Sequence, residues 1–265
     1  EVGLPTPRPT LRLESAGEDD VRLMMPKEER DITREMRQYA KRRVAKLEDK
    51  QLRGYVLKKD SPSCGMERVK VYRGKGPPTK SGRGLFAEAL LDRFPHLPVE
   101  EEGRLHDPRL RENWITRVFA YHRLRRLWEG RWKGGDLVAF HTAHKFALMA
   151  HSPKDYRELG RMVADAKAIP RRELREGYEA RFMGALRHLA TRARNTNVLE
   201  HILGFFKRDL DADSRRELLG HIQDYRQGIV PLVVPLTLVA HYVRLLDVSY
   251  LRDQVYLNPH PKELA

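Results

Sequence analysis

The segment from Tyr55 to Tyr72, YVLKKDSPSCGMERVKVY, decides the fold of the first part of the chain. Its two ends, residues 55–59 and 69–72, are rich in aromatic and β-branched residues and predict strands. The polar loop between them contains the single cysteine of the sequence, Cys64. The segment therefore predicts a sheet with a thiol on a loop that follows a strand.

Segments on both sides extend this pattern. Residues 33–53 and 85–94 have helical periodicity, residues 97–105 predict a short strand with its exit loop, and the Gly- and Pro-rich stretch 74–84 predicts no regular element. Alternation of strands and helices is typical of an α/β layer with a parallel sheet. Residues 1–107 are therefore predicted to form a partial, Rossmann-like three-layer α/β domain.

After Asp107 the sequence has helical periodicity throughout. Asp107 followed by Pro108 is a helix-start signal, and Ser152 marks a later helix start. Residues 136–150 predict a single helix. We expect an all-α helical domain of about six or seven helices over residues 108–265.

Composition limits the classes of function. The 265 residues carry a formal net charge of +14 and have a pI near 10.0. Such a basic surface favours a polyanionic partner, although an Arg-rich protein without one is the alternative. The sequence has no apolar run long enough to cross a membrane and no signal peptide, and one cysteine excludes a disulfide framework. We expect a cytoplasmic protein that does not bind membranes.

The loop KKDSPSCG has the composition of a reactive thiol site. Lys58 and Lys59 favour the thiolate, and the hydroxyls of Ser61 and Ser63 could donate hydrogen bonds to a sulfur. This environment suits a nucleophile or an iron–sulfur ligand, whereas a buried, inert cysteine is the alternative. One cysteine cannot hold a cluster, which takes several thiolates. The residues alone leave the role of Cys64 open.

Basic residues are grouped where phosphates could bind. One group lies in the Gly-rich stretch, and three lie in the helical part, within residues 123–133, 171–187 and 192–208. A single group is usually a solvated face, but several groups on one small domain favour a track for phosphates. The predicted nucleic-acid-binding residues are Lys75, Lys80, Arg83, Arg123, Arg126, Arg131, Lys133, Arg171, Arg172 and Arg175. Trp132 lies in the basic turn EGRWKGG (129–135) and is a candidate for base stacking.

Three histidines could suggest a metal site. These are His141, His144 and His151. No carboxylate or thiolate completes the set at ligand spacing. We therefore interpret them as core or surface residues.

Four long motifs resemble known families. GYVLKKDSPSCG (54–65) and GRGLFAEAL (82–90) resemble the thiouracil-desulfidase family. NTNVLEHILGFFK (195–207) and YRQGIVPLVVPLTL (225–238) resemble the YbgA-type domain of unknown function. The chain thus resembles a desulfidase domain fused to a YbgA-type domain.

The resemblance implies an iron–sulfur enzyme. Members of the desulfidase family bind a [4Fe-4S] cluster through three cysteines and leave one iron open for the substrate sulfur. Cys64 corresponds to one of these ligands, and the other two are absent from this sequence, so we expect these 265 residues by themselves to be inactive. Water would replace the sulfur of a thiolated pyrimidine, with Ser61 or Ser63 as the acid/base residue and a carboxylate partner upstream.

The basic helical domain extends this expectation to a polymeric substrate. Its phosphate-binding residues would hold tRNA that contains 4-thiouridine, which makes the protein a tRNA 4-thiouridine or thiouracil desulfidase. Two alternatives stay open. One is a non-catalytic RNA-binding protein, and the other is a desulfidase for free thiobases such as thiouracil, with the helical domain serving assembly or partner binding.

Overall fold

The computed structural model describes residues 4, 7, 9–15, 17, 20–74 and 76–264. They belong to two compact units, Glu1–Trp114 and Ile115–Ala265. The first unit combines strands with helices, and the second is helical, which confirms the predicted combination of an α/β part with an all-α part. Among the described residues, none of the helices has the length and apolar character needed to cross a membrane.

The first unit contains two groups of strands and a pair of helices that pack against each other. The strands are β1 (Arg12–Ser15), β2 (Val21–Met25), β3 (Arg30–Asp31), β4 (Tyr55–Leu57), β5 (Val69–Tyr72), β6 (Thr79–Gly82) and β7 (Val99–Glu101). The helices are α1 (Thr33–Glu48) and α2 (Leu85–Arg93).

The larger sheet has the strand order β3-β2-β1-β5-β6 and is mixed. Only its central pair, β1 with β5, is parallel; the other neighbours are antiparallel. The expectation of a parallel sheet is therefore wrong here, because short connections reverse the chain between β1 and β2 and between β5 and β6. Val69 and Val71 are buried while Lys70 between them is exposed, as the two-residue period of a strand requires.

Strand β6 corrects the prediction that the stretch 74–84 contains no regular element. Gly82 pairs with Val69 and Thr79 with Val71, with a register shift at Val69 and Lys70. Backbone pairing with β5 outweighs the weak strand propensity of this Gly-rich sequence. A Cβ at Gly82 would lie 2.6 Å from Cγ2 of Val71, so glycine permits the close approach of the two strands.

Strands β4 and β7 form a separate parallel pair. Tyr55 lies beside Val99, and Leu57 lies beside Glu101. Because the strands are parallel, the loops that follow them leave from the same edge. The loop with Cys64 follows β4, so this edge is the place where chemistry is expected.

The second unit is built from helices around one main core. Helix α3 (Pro108–Trp128) begins in the first unit and enters the second. The following helices are α4 (Gly134–Ala143), α5 (Lys145–His151), α6 (Pro153–Ala164), α7 (Arg171–Arg187), α8 (Arg192–Phe205), α9 (Ala212–Gln227), α10 (Val233–Leu245) and α11 (Ser249–Arg252). The core includes Phe146, Leu199, Ile202, Leu218 and Val239.

Side chains confirm two predicted helix starts and correct one predicted helix. Asp107 Oδ1 accepts the amide N–H groups of Arg109 at 2.8 Å and Leu110 at 3.1 Å. Ser152 Oγ accepts the amide N–H of Asp155 at 3.3 Å. The single helix predicted over residues 136–150 is interrupted at His144, whose φ of −97° and ψ of 2° separate α4 from α5.

A buried polar network connects three segments of the helical unit. Asn195 Nδ2 donates to Tyr225 Oη at 3.1 Å, and Tyr256 Oη donates to Asn195 Oδ1 at 3.0 Å. All three side chains are buried. The amide therefore satisfies two phenol groups that have left water on folding.

We predict that Asn195→Ala lowers the free energy of unfolding by about 2–4 kcal/mol, because it leaves a cavity and two buried hydroxyls without their partner. Tyr256→Phe, which removes one hydrogen bond and little volume, should cost about 1 kcal/mol. Urea unfolding followed by tryptophan fluorescence measures both values. Equal values for the two variants would contradict a central role of Asn195.

Candidate functional site

The Cys64 loop, residues 59–66, is ordered by its own hydrogen bonds. Ser61 Oγ accepts the amide N–H of Cys64 at 3.2 Å, and the amide of Gly65 donates to Ser61 O at 2.7 Å. The hydroxyls of Ser61 and Ser63 are 3.1 Å apart, and Ser63 Oγ lies 3.5 Å from Cys64 Sγ. The structure thus brings together the predicted thiol and both predicted serines, with the thiol half-buried and the serines buried.

Helix α2 supports this loop from the other side. The amide of Phe86 donates to Ser63 O at 2.8 Å, and the amide of Gly84 donates to Gly65 O at 2.9 Å. A Cβ at Gly84 would lie 2.5 Å from both Cys64 N and Ser63 O. The start of α2 can therefore approach the loop backbone only because residue 84 is a glycine.

Carboxylates at the end of β7 form a second part of the site, which was not predicted from the sequence. Glu101 Oε1 accepts the amide N–H of Met66 at 2.7 Å, and Glu102 Oε2 accepts that of Lys59 at 2.7 Å. Glu100 Oε1 accepts a hydrogen bond from Arg104 Nε at 2.7 Å. The run of three glutamates at the end of a strand is the sequence signal that could have identified this cluster.

Tyr55, the first residue of β4, also belongs to the surroundings of Cys64. Burial raises the pKa of the Tyr55 hydroxyl, and the negative charge of Cys64 as a thiolate would raise it further. The side chain is in ring contact with Phe86 at a centroid distance of 6.1 Å. Tyr55 therefore stays a neutral hydrogen-bonding group beside the thiol at neutral pH.

The basic residues of the first unit occupy different positions around this site. Arg83 Nε donates to Met66 O at 3.0 Å, so this exposed guanidinium lies at the exit of the Cys64 loop. Lys80 is exposed on β6. Lys75 lies outside the described residues.

In the helical unit, Trp132 joins two of the predicted basic groups. Arg171 donates a hydrogen bond to Trp132 O, and its guanidinium lies 4.3 Å from the centre of the Trp132 ring. Arg175 lies 5.9 Å from the centre of Trp128, whose ring contacts Trp132 edge-on at 4.9 Å. The start of α7 therefore lies against the end of α3 and the turn after it. We call the predicted basic residues of these segments, together with Trp132, the Trp132 surface: Arg126, Arg131, Trp132, Lys133, Arg171, Arg172 and Arg175.

The side chains of this surface differ in their exposure and in their ion pairs, and therefore in their availability to a phosphate. Arg126, Arg131 and Lys133 are exposed. Arg172 is exposed and pairs with Glu176 at 2.8 Å. Trp132 itself is 9% exposed and has Arg171 over its ring, so the hypothesis that it stacks on a base is not supported by its packing.

Arg123 differs from the other predicted phosphate ligands. Burial lowers the pKa of its guanidinium, and its buried Nη1 has no hydrogen-bond partner within the described part of the chain. The side chain is half-buried. Arg123 is therefore less available to a phosphate than the exposed Arg126 and Arg131.

Comparison with known proteins assigns both parts of the chain. Residues 1–102 match the family model for 2-thiouracil desulfurase, and residues 145–261 match that of a protein of unknown function, DUF1722. The uncharacterized protein YbgA of Escherichia coli (strain K12) is 34% identical over 155 residues, which are 58% of this chain and 92% of that relative. The chain belongs to the YbgA family.

The match of residues 1–102 to the 2-thiouracil desulfurase model agrees with the resemblance of the motifs around Cys64 to that family. The Cys64 loop, α2 and the three glutamates all lie in the region matched by this family. No solved structure matches the chain significantly.

The three histidines of the YbgA-family helical unit have structural partners. His141 Nδ1 is 3.1 Å from Tyr178 Oη, His144 Nδ1 is 2.7 Å from Phe140 O, and His151 Nδ1 is 2.6 Å from His188 O. In the described ranges of the chain, no cluster of three or more His, Cys, Asp or Glu side chains is arranged to hold a metal ion. His144 and His151 are buried and His141 is half-buried, so each of the three imidazoles packs within the helical unit.

We predict that His144 makes the helical unit acid-sensitive. Burial lowers the pKa of His144 to about 3 from 6.5, so below pH 6.5 the unfolded chain binds a proton that the folded chain resists. The stabilisation is therefore present above pH 6.5 and is lost as the pH falls towards 3. The slope from this one group approaches about 1.4 kcal/mol per pH unit.

Urea unfolding at pH 7 and pH 4.5 tests this prediction. His144→Gln, whose amide can still donate to Phe140 O, should show a smaller loss of stability on acidification than the wild type. His201→Gln removes an exposed histidine and should behave like the wild type. If His144→Gln has the wild-type pH dependence, the assignment is wrong.

Proposed function

We propose that this YbgA-family protein removes sulfur from a thiolated pyrimidine and leaves a carbonyl oxygen in its place. The observation that supports this most is the half-buried thiol of Cys64, held beside two serine hydroxyls in a domain that matches 2-thiouracil desulfurase. In the reaction, the oxygen of water bonds to the ring carbon and the C–S bond breaks. Sulfur leaves as hydrogen sulfide, which takes up the protons of the water.

The proposed cofactor is a [4Fe-4S] cluster with Cys64 as one thiolate ligand. Cys64 is the only cysteine of the sequence, and the described residues provide no further metal-binding group. By themselves these residues do not fit a cluster, which takes several thiolates. The proposal therefore requires thiolates from outside these 265 residues. A bound cluster would supply Lewis-acid chemistry at the substrate sulfur.

Ser61 and Ser63 are the residues to which we assign proton transfer. Their hydroxyls are 3.1 Å apart, which allows a proton to pass between them. Ser63 Oγ is also 3.5 Å from Cys64 Sγ and can donate to a sulfur at this position. Both serines are buried, so their hydroxyl directions are set by these neighbours rather than by bulk water.

The proposed substrate is 4-thiouridine in tRNA. The net charge of +14 and the Trp132 surface support a polyanionic partner. Arg83 supports it in the desulfurase domain, because its exposed cation lies at the exit of the Cys64 loop. Phosphate contacts of this kind position an RNA without reading its sequence.

A free thiobase is the second candidate substrate. The family that matches residues 1–102 is described by its action on 2-thiouracil, a free base. In that case the basic helical unit would serve assembly or partner binding. Desulfuration of 2-thiouracil that tRNA containing 4-thiouridine does not inhibit would favour this candidate.

The role of Cys64 is tested with the complete protein purified without oxygen. We expect about four iron and four sulfide ions per chain in the wild type. Cys64→Ser should reduce both to background and abolish desulfuration, since a hydroxyl is a poor ligand for such clusters. Circular dichroism controls for folding. Unchanged iron and sulfide contents in a folded Cys64→Ser variant would exclude Cys64 as a ligand.

The role of the Trp132 surface is tested by removing its exposed charges. We predict that Arg126→Gln, Arg131→Gln and Lys133→Gln together weaken binding to different tRNAs about equally, because phosphate contacts carry little sequence information. The log–log slope of the binding constant against salt concentration should fall by about one for each side chain that no longer binds a phosphate. Filter binding over a salt series measures both effects.

The control variant carries Arg215→Gln, Arg216→Gln and Arg226→Gln. It loses the same charge from exposed positions on α9 of the same unit. We expect its tRNA affinity and salt dependence to stay close to the wild-type values. Equal weakening in both triple variants would mean that net charge, rather than the Trp132 surface, determines binding.

A further inference from the structure

Two consecutive carboxylates hold the two ends of the Cys64 loop. Glu102 Oε2 accepts the amide N–H of Lys59, where the loop begins, and Glu101 Oε1 accepts that of Met66, where it ends. Both distances are 2.7 Å. Hydrogen bonds between a backbone amide and a carboxylate are about twice as strong as neutral ones. The loop is thus fixed from outside as well as by its own serines.

The parallel pairing of β4 and β7 places these carboxylates. Leu57 lies beside Glu101 in the register, and the amide of Glu102 donates to Leu57 O at 3.0 Å. The end of β4 and the end of β7 therefore lie together. A residue that follows β7 reaches the loop that follows β4 although 43 residues separate Lys59 from Glu102 in the chain.

Of the two carboxylates, that of Glu101 depends more strongly on hydrogen-bond and charge partners, because Glu101 is buried and Glu102 is exposed. Glu101 is 3% exposed, and a buried carboxylate is stable only with hydrogen bonds or opposite charges. Met66 supplies the hydrogen bond. The guanidinium of Arg104 supplies positive charge, since Glu100, Glu67 and Glu101 all contribute to the raised pKa of Arg104 against the effect of its burial.

We propose that Glu101 and Glu102 are positioning residues for Cys64. Glu101 acts through the amide of Met66 and Glu102 through the amide of Lys59, and together they fix the Cys64 loop, and with it the position of the thiol, at the edge of the β4–β7 pair. The proposal deepens the proposed function, because a fixed thiol is what a cluster ligand or a sulfur-handling site requires. The two carboxylates act by accepting backbone N–H groups of the loop and need no contact with substrate.

Hydrogen exchange and thiol alkylation of the chain test this proposal. In Glu101→Ala, the amide of Met66 loses its acceptor, and we expect exchange in the peptide that contains it to become roughly tenfold faster or more. Alkylation of Cys64 by iodoacetamide should accelerate because the half-buried thiol becomes accessible. In Glu101→Gln an amide oxygen can still accept the Met66 N–H, so both rates should return most of the way to wild type.

Glu88→Ala is the matched control. It removes the same charge from an exposed position on α2 of the same unit, and both rates should stay at the wild-type values. Glu102→Ala provides a second test at an exposed residue if Glu101→Ala does not fold. In Glu102→Ala, hydrogen exchange should accelerate in the peptide that contains the Lys59 amide, at the start of the loop.

The outcomes separate this proposal from the proposed function. Wild-type exchange and alkylation in folded Glu101→Ala and Glu102→Ala variants would overturn the positioning role. Equal acceleration in Glu101→Gln and Glu101→Ala would also overturn it, because charge rather than the hydrogen bond would then hold the loop. Neither measurement needs a cluster or a thiolated substrate, so a failure of the desulfuration proposal leaves these results unaffected.

Discussion

The parallel pairing of β4 with β7 is the constraint on which the candidate site depends. A three-residue register brings the end of one strand beside the end of the other. The Cys64 loop leaves from this edge, and the carboxylates that bind its ends arrive at the same edge. Without the pairing, the thiol and the serines would remain close through local hydrogen bonds, but the loop would lose both of its long-range attachments.

Close backbone approach is the second requirement of the site. The amides at the start of α2 bind carbonyl groups of the loop, and this packing leaves no space for a side chain at Gly84. The loop is therefore enclosed by β7 on one flank and by α2 on another. Such enclosure explains why a sequence of small and polar residues, SPSCG, has defined side-chain positions rather than those of a solvated turn.

Local signals in the sequence predict local elements, and they do so here for both the fold and the site. Strand β5 has the predicted limits, Asp107 begins a helix as its side chain indicates, and Cys64 lies beside the serines of its own motif.

The errors concern features that depend on distant parts of the chain. Strand β6 exists because β5 provides a pairing edge, and the break at His144 places its imidazole in the core, which periodicity alone does not show. Glu101 is 35 residues from its partner Met66, and only the strand register shows that the two meet. The upstream carboxylate partner stays a prediction, and Glu101 is a separate carboxylate that binds the loop backbone.

Electrostatics connects this acidic cluster to the basic character of the whole protein. Glu100, Glu101 and Glu102 concentrate negative charge at the Cys64 loop, and Arg104 offsets only a part of it. A polyanion that approached this loop would be repelled unless cations lay nearby, and Arg83 is bonded to the loop at Met66 O. A free thiobase carries no phosphate and would need no such cation. Arg83 therefore supplies a cation at the exit of the Cys64 loop, which the proposed RNA substrate would use for a phosphate and a free base would not need.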